Sequence, residues 1–265
     1  MARVIVVTSG KGGVGKTTIS AYLGMELANK NMRVCLLDMD IGLNNLDVVL
    51  GIENRVVFNM QDVLNGKCRI RQALIEHDVY PLLFVMSSGS ALRNITIKFE
   101  AIKNLINELK RQFDFIIIDC PAGIDAGFNR AVSLAEEALL ITTPHLSALR
   151  DADKVATILY SYNLNSVKFV VNRCRGDLIK DKLMLDVYDI AKTLNLEFAG
   201  VIPEDDTITL SSNQSKVKIN YSYPCFRAVR VLAENLVTNS KKLFDCTYKY
   251  KGFLGGVRKL LKRKC

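Results

Sequence analysis

The sequence predicts an α/β fold, a three-layer αβα sandwich around a mostly parallel, twisted sheet. Three observations carry that prediction. Short apolar runs rich in Val and Ile recur along the 265 residues; being apolar at nearly every position, they read as strands covered on both faces. Stretches with helical spacing lie between them, and strands alternating with helices build parallel sheets. A glycine-rich loop joins the first run to the first helix, the context in which such a loop cradles phosphate.

Composition narrows the class. The chain is 49% hydrophobic and 24% charged, ordinary for a globular protein with a sizeable core, and its length suits one α/β domain. No apolar run approaches the roughly 18 residues of a spanning helix. Met1-Ala2-Arg3 leads straight into a strand, unlike a secretory leader. Seven cysteines without a C-x-x-C pair predict no disulfide framework and a reducing compartment. With His77 and His145 the only histidines, a four-ligand zinc site has little to build from. Net charge is +9, but residues 248–265 hold seven Lys/Arg and no acid, leaving +2 for the rest. The body therefore shows no electrostatic footprint for nucleic acid, and none is expected as a partner.

In chain order, the first strand is Val4–Val7. Gly10-Lys11-Gly12-Gly13-Val14-Gly15-Lys16-Thr17-Thr18 follows and fits G-x-x-x-x-G-K-[ST]. Its glycines let backbone N–H groups curl around phosphate oxygens, and the helix N-terminus adds a positive dipole end. Lys16 would bridge the β- and γ-phosphates of ATP, and Thr17 would offer its hydroxyl to Mg²⁺. Helix 17–30 comes next, then strand Val34–Leu37, which runs into Asp38-Met39-Asp40. Carboxylates at i and i+2 leaving a strand can face one side, where they could hold a metal's water shell and orient an attacking water. The other reading is a polar loop of capping Asp and Asn residues. Strand Leu82–Met86 and helix 97–111 precede strand Phe115–Ile118, which ends in Asp119. Four apolar residues closing on Asp make a Walker B shape, with Asp119 accepting from Mg²⁺-bound water. Cys120, with no histidine near it in sequence, reads as a packing residue. Strands Ala138–Thr142, Val167–Val171 and Phe198–Ile202 complete the set, with helices at 147–161 and 180–194. Arg150 and Asp151 are candidate partner-facing positions or, equally, parts of a capped, solvated helix.

The stretch K-G-G-V-G-K-T-T from Lys11 to Thr18 resembles the deviant Walker A of the MinD/ParA family of P-loop ATPases. Asp38-Met39-Asp40 and the residues to Asp47 resemble that family's switch I, and Asp119-Cys120-Pro121-Ala122-Gly123 its switch II. The resemblance implies that Lys11 reaches across an ATP-dependent homodimer to the partner's nucleotide. It implies that Asp40 positions the hydrolytic water, that Asp38 assists at Mg²⁺, that Asn45 lies near the γ-phosphate or the interface, and that the Gly123 amide senses the γ-phosphate. For Lys11 a solvated loop lysine is the other reading. The resemblance also places Asn172, Pro203 and Asp205 at adenine; by sequence alone these are loop residues after strands.

Residues 1–240 are expected to form the ATPase domain, 241–250 a linker, and 251–265 an amphipathic tail. On a helical wheel Phe253, Leu254, Val257, Leu260 and Leu261 fall within an arc of roughly 120°. Arg258, Lys259 and Lys262 lie opposite with Lys251 and Arg263, the pattern of a helix in a lipid interface. Gly255 and Gly256 cost about 2 kcal/mol of helix propensity, so folding on lipid is expected. A core helix, a nucleic-acid tail and a calmodulin-type helix are the other readings.

Taken whole, the resemblance implies a membrane-associated switch in the cytoplasm, peripheral at the inner face of the cell membrane. Its ATP-bound dimer would recruit a MinC-type division inhibitor, answer to a MinE-type activator, and help place the septum. A flagellar-number ATPase of the same family and a DNA-partitioning ATPase of the ParA type remain open beside it.

Overall fold

A computed structural model describes residues 2–40, 45–89, 98–206 and 218–251. In chain order the elements are β1 (Arg3–Thr8), α1 (Lys16–Asn29), β2 (Val34–Asp38), α2 (Leu46–Leu50), α3 (Met60–Leu64), α4 (Ile70–Ala73), β3 (Ile75–Glu76), β4 (Leu83–Met86), α5 (Phe99–Leu109), β5 (Phe115–Asp119), α6 (Ala126–Ser133), β6 (Glu137–Thr142), α7 (Leu146–Leu159), β7 (Ser166–Cys174), α8 (Gly176–Lys180), α9 (Val187–Leu194), β8 (Glu197–Pro203) and α10 (Pro224–Thr238). The strands form one sheet in the order β3-β4-β2-β5-β1-β6-β7-β8. All neighbours pair in parallel except β3, which runs antiparallel to β4.

Strand residues alternate between two cores, as a pleated strand covered on both faces requires. Val4, Val6, Cys35, Leu37, Ile116 and Ile118 pack with Ile102 of α5, Phe128 of α6 and Val155 of α7. Ile5, Val7, Val34, Leu36, Phe115 and Ile117 pack on the opposite face with Leu23 of α1 and Leu232 of α10. These are the three layers anticipated. Because α10 lies on the same face against β8 and packs beside α1, α1 is buried nearly all round. Its Glu26, 1% exposed, accepts the Tyr221 hydroxyl at 3.0 and 2.8 Å on its two oxygens, and burial raises its pKa.

Two features depart from the sequence reading. Helix 180–194 is not continuous: α8 ends at Lys180, and α9 restarts behind Asp186, whose carboxylate accepts from the Tyr188 and Asp189 amides at 2.9 Å each. Local capping at Asp186 wins over helical continuity. The two-residue β3, paired Ile75↔Val85 and Glu76↔Phe84, is too short for a periodicity to announce it.

The segment expected as a linker runs along the body. Asn235 on α10 is its anchor. Its amide nitrogen donates to the carbonyls of Ala199 and Lys242 at 2.8 and 2.7 Å. Its amide oxygen accepts from the Ser240 hydroxyl at 2.7 Å and the Lys242 amide at 3.1 Å. Beyond it, Phe244 packs on the core, Cys246 is buried, and the Arg227 guanidinium lies over the rings of Phe244 and Tyr248. The residues assigned to lipid contact, Phe253, Leu254, Val257, Arg258, Lys259, Leu260, Leu261 and Lys262, lie outside the described residues. Among those described, no helix is long and apolar enough to cross a membrane.

Replacing Asn235 by Ala strands the buried groups it satisfies and is expected to cost about 2–3 kcal/mol in urea unfolding. Glu197→Gln removes only the exposed pair with Lys241 and should change stability by less than about 1 kcal/mol.

Candidate active site

All seven strands from the apolar runs point their carboxyl ends to one edge of the sheet, where ligands bind in open α/β folds. The phosphate loop leaves β1 there. Gly15 caps α1 in the left-handed region at φ 97°, and a Cβ built on it would stand 2.5 Å from Asn172 Nδ2. Glycine is required on both counts. At the loop's start, a Cβ on Gly10 would stand 2.3 Å from the Asp151 carbonyl oxygen, so α7 and the loop touch backbone to backbone. Gly12, Gly13 and the Lys11 side chain face solvent, whereas Val14 is buried and Lys16 is 8% exposed. Thr17 and Thr18 follow in the first turn of α1. Buried cation, helix N-terminus and loop amides together form an anion cradle.

Asp38 and Asp119 close β2 and β5 and are direct register partners. Both are 2% exposed. Burial, then the neighbouring Asp119, pushes Asp38 up to about 7. Burial pushes Asp119 up to about 6, although the Thr17 and Ser20 hydroxyls and Lys16 pull it down. The Ser20 hydroxyl donates to Asp119 Oδ1 at 2.9 Å. Asp38 accepts from the amides of Asp40 and Leu46 at 2.9 and 3.3 Å, so it also anchors both ends of the intervening stretch. Of that stretch, 41–44 lie outside the described residues, and Asn45 is exposed at the start of α2. Asp40 is half-buried. Burial raises its pKa, Lys16 opposes the rise, and Asp125, which caps α6, adds to it.

This donor set fits Mg²⁺. The two carboxylates are raised in pKa because burial and repulsion from neighbouring carboxylates outweigh what Lys16 and the hydrogen bonds compensate, and a divalent cation with phosphate oxygens would supply the remainder. Among the described residues no cluster of three or more His, Cys, Asp or Glu forms a metal site; Mg²⁺ needs none, since one or two carboxylates plus substrate phosphates and waters hold it. Cys120, 1% exposed, has its thiol pushed up to about 12 by burial and is a packing residue.

Next to the loop lies a cavity of about 240 Å³ that brings together Asn172, Pro203 and Asp205. Asn172 Nδ2 donates to the Val14 carbonyl at 2.8 Å, while its Oδ1 is buried without a partner. An exocyclic amine on a bound base would satisfy that oxygen. Ile19, Tyr22, Ile202 and Val229 give the cavity apolar surface for a planar ring. Asp205 also accepts from the Cys225 amide at 3.2 Å, tethering the start of α10. Four participants were not singled out from sequence: Ser20, Asp125, Tyr22 and Arg173, the last in the left-handed region at φ 57°. Ser20 alone carried a signal, lying one turn after Thr17 on the same helix face.

The carboxylate pair sets a pH dependence. The unfolded chain releases these protons near pH 4; the native chain holds them to about pH 6 and 7. Between those limits the native state binds more protons, so this contribution to nucleotide-free stability falls as pH rises. Asp119→Asn is expected to flatten that fall and raise the thermal midpoint of the nucleotide-free protein at pH 8. The same change should weaken Mg²⁺-dependent nucleotide binding by roughly 10–100-fold, read by calorimetry.

A family profile described as ParA: NUBPL iron-transfer P-loop NTPase matches residues 1–237. The septum site-determining protein MinD of Bacillus subtilis (strain 168) is 40% identical over 261 residues, covering 97% of this chain and 97% of that protein. Among solved structures, the MinC:MinD cell division protein complex of Aquifex aeolicus superposes with a TM-score of 0.85 at 38% identity, covering 91% of this chain and 98% of that one. The septum site-determining protein MinD of Pyrococcus horikoshii OT3, complexed with Mg-ADP, gives a TM-score of 0.79 at 29% identity over 89% of this chain and 96% of that one. The matched span, residues 1–237, contains the phosphate loop, the strand-tip carboxylates and the cavity beside them, and the chain belongs to the MinD/ParA family of P-loop ATPases.

Proposed function

We propose that this ATPase is a MinD-type switch for placing the division septum, binding the membrane as an ATP-bound homodimer and leaving it after hydrolysis. The observation that carries the reading is the convergence of Lys16, Asp40, Asp38 and Asp119 on one strand edge, with Lys11 exposed beside them. Nucleotide and Mg²⁺ binding follow from the family; ATP as the substrate, and the residue roles below, are our assignment.

Lys16 holds the β- and γ-phosphates and meets the charge that spreads over the γ-phosphoryl oxygens as its bond to the leaving oxygen breaks. Mg²⁺, when bound, neutralises charge between those phosphates. Thr17 and Asp119 hold it directly or through water, and Ser20 orients Asp119. Asp38 assists there and fixes the backbone at Asp40 and Leu46. Asp40 orients the attacking water and receives its proton, a task suited to a carboxylate whose basicity burial has raised. Asn172, Pro203 and Asp205 take the base.

Lys11 is too exposed to serve its own site strongly. Lent to a second copy, it completes that copy's charge stabilisation, which makes hydrolysis depend on pairing. Pairing also brings two basic amphipathic tails to one surface. Each basic residue near an anionic leaflet is worth about 1 kcal/mol, and linking two weak anchors multiplies their avidity. A MinC-type inhibitor as cargo, by likeness to the Aquifex aeolicus complex, and a MinE-type factor as activator, from the sequence resemblance alone, complete the reading. The exposed Arg150 on α7 is our candidate contact. The protein would work in the cytoplasm, at the inner face of the membrane.

Sedimentation with anionic vesicles tests this. The full chain should pellet with ATP and stay in solution with ADP, and a chain ending at Tyr250 should not pellet with either. Asp40→Ala should keep ATP-dependent pelleting while hydrolysis falls by about 10²-fold or more. Lys11→Ala should stay monomeric and lose hydrolysis to a similar degree. Nucleotide-independent pelleting, or DNA binding by the shortened chain, would overturn the proposal.

A further inference from the structure

Behind the base cavity sits a second one, of about 150 Å³, which shares the wall Pro203–Asp206 with it. Its far side is the C-terminal segment, including Cys246 and Tyr248–Tyr250. Into this space come two thiols. Cys174 ends β7 two residues after Asn172 and is 4% exposed; Cys246, on the C-terminal segment, is 9% exposed. They meet side chain to side chain, and that contact, ahead of burial, raises the Cys174 pKa. The backbone around them is packed without slack: a Cβ on Gly176 would stand 1.9 Å from the Cys246 carbonyl oxygen. Lys180 Nζ donates to the Tyr250 carbonyl from α8, so the segment is held on both sides of Cys246.

We propose that Cys174 and Cys246 form a redox modification site, whose disulfide, made by a small-molecule disulfide, fastens the C-terminal segment to the end of β7 beside the nucleotide cavity. The described cysteines are all free, so the proposed disulfide is a second state of the chain and not part of the structure described. Seated and buried, the pair is shielded from an oxidant. When the segment lifts, Cys246 reaches solvent, loses its proton and attacks one sulfur of the oxidant R–S–S–R. That S–S bond breaks, and the first RS⁻ leaves and takes up a proton. Reseating brings Cys174 onto the mixed disulfide. Its thiolate attacks Cys246 Sγ, the Cys246–SR bond breaks, and the second RS⁻ leaves with the proton that Cys174 gave up. The chain loses two electrons and two protons, and the oxidant becomes two thiols. The closed loop, from 174 to 246, is long, the case in which a cross-link restricts the unfolded chain most.

The consequence lies at both cavities. The locked segment leads directly to residue 251 and everything beyond, and its seat is the back of the base pocket. Once joined, the segment cannot lift, and the wall it rests on loses freedom with it.

The test uses the full native chain treated with oxidised glutathione, digested without reduction and mapped by mass spectrometry. The expected result is a peptide linking Cys174 to Cys246, a melting temperature higher by about 5–10 °C, slower amide exchange across 241–251, and reversal by dithiothreitol. Cys246→Ser and Cys174→Ser should each abolish the link and the thermal shift; with both available, misfolding of one does not decide the matter. Glutathione adducts without the internal link, pairing of Cys246 with another cysteine, or a link that forms only in urea would each overturn the proposal.

Discussion

Two carboxylates of like charge stand side by side at the tips of β2 and β5, out of reach of bulk water, and the rest of the site is arranged around the difficulty this creates. Burying such a pair is unfavourable, and the surroundings only partly compensate. Lys16 supplies one positive charge, Ser20 and Thr17 lend hydroxyls to Asp119, and two backbone amides turn toward Asp38. The residual imbalance, with burial, raises the pKa of both groups. It also explains the placement of neighbours. Strand β1 lies beside β5 in the sheet, so the phosphate loop emerges next to the acids, and α1 runs down from it with Ser20 aimed at Asp119.

The cavity proposed for the base is organised differently. There the chain uses shape and amide chemistry rather than charge: Asn172 is wedged against the phosphate loop by one bond to Val14 and keeps its other end free of partners. Phosphate loop and base pocket are therefore fastened to each other across the sheet. The wall of that pocket in turn carries the C-terminal segment, held by Asn235 and by the stacking of Arg227 on Phe244 and Tyr248. The proposed nucleotide seat and the C-terminal segment share a partition.

Much of this was legible before any coordinates. Strands buried on both faces must be apolar almost throughout, so the inner strands announce themselves; glycine spacing between a strand and a helix announces a phosphate loop; and aspartates closing apolar runs mark strand tips. What stayed hidden depends on distance along the chain. Ser20 looks like any helical serine until Asp119, 99 residues away, is set beside it. Asn172 reads in sequence as a loop asparagine, but β7 runs on through it to Cys174, and its role shows only where it reaches Val14, 158 residues back. The break between α8 and α9 turns on which of several acids caps, and β3 exists only because β4 offers it an edge. The 241–250 stretch reads as polar spacer because its anchors, Asn235 and Arg227, sit on another element.

The contact between Gly10 and the backbone of Asp151 has a mechanical meaning. Nothing larger than a hydrogen atom fits between them, so the phosphate loop and the second turn of α7 are in direct backbone contact. Whatever grips the outward side of that helix holds, one residue removed, the amides that would cradle the terminal phosphate. A displacement of the helix at that point would reach the loop through a single backbone contact.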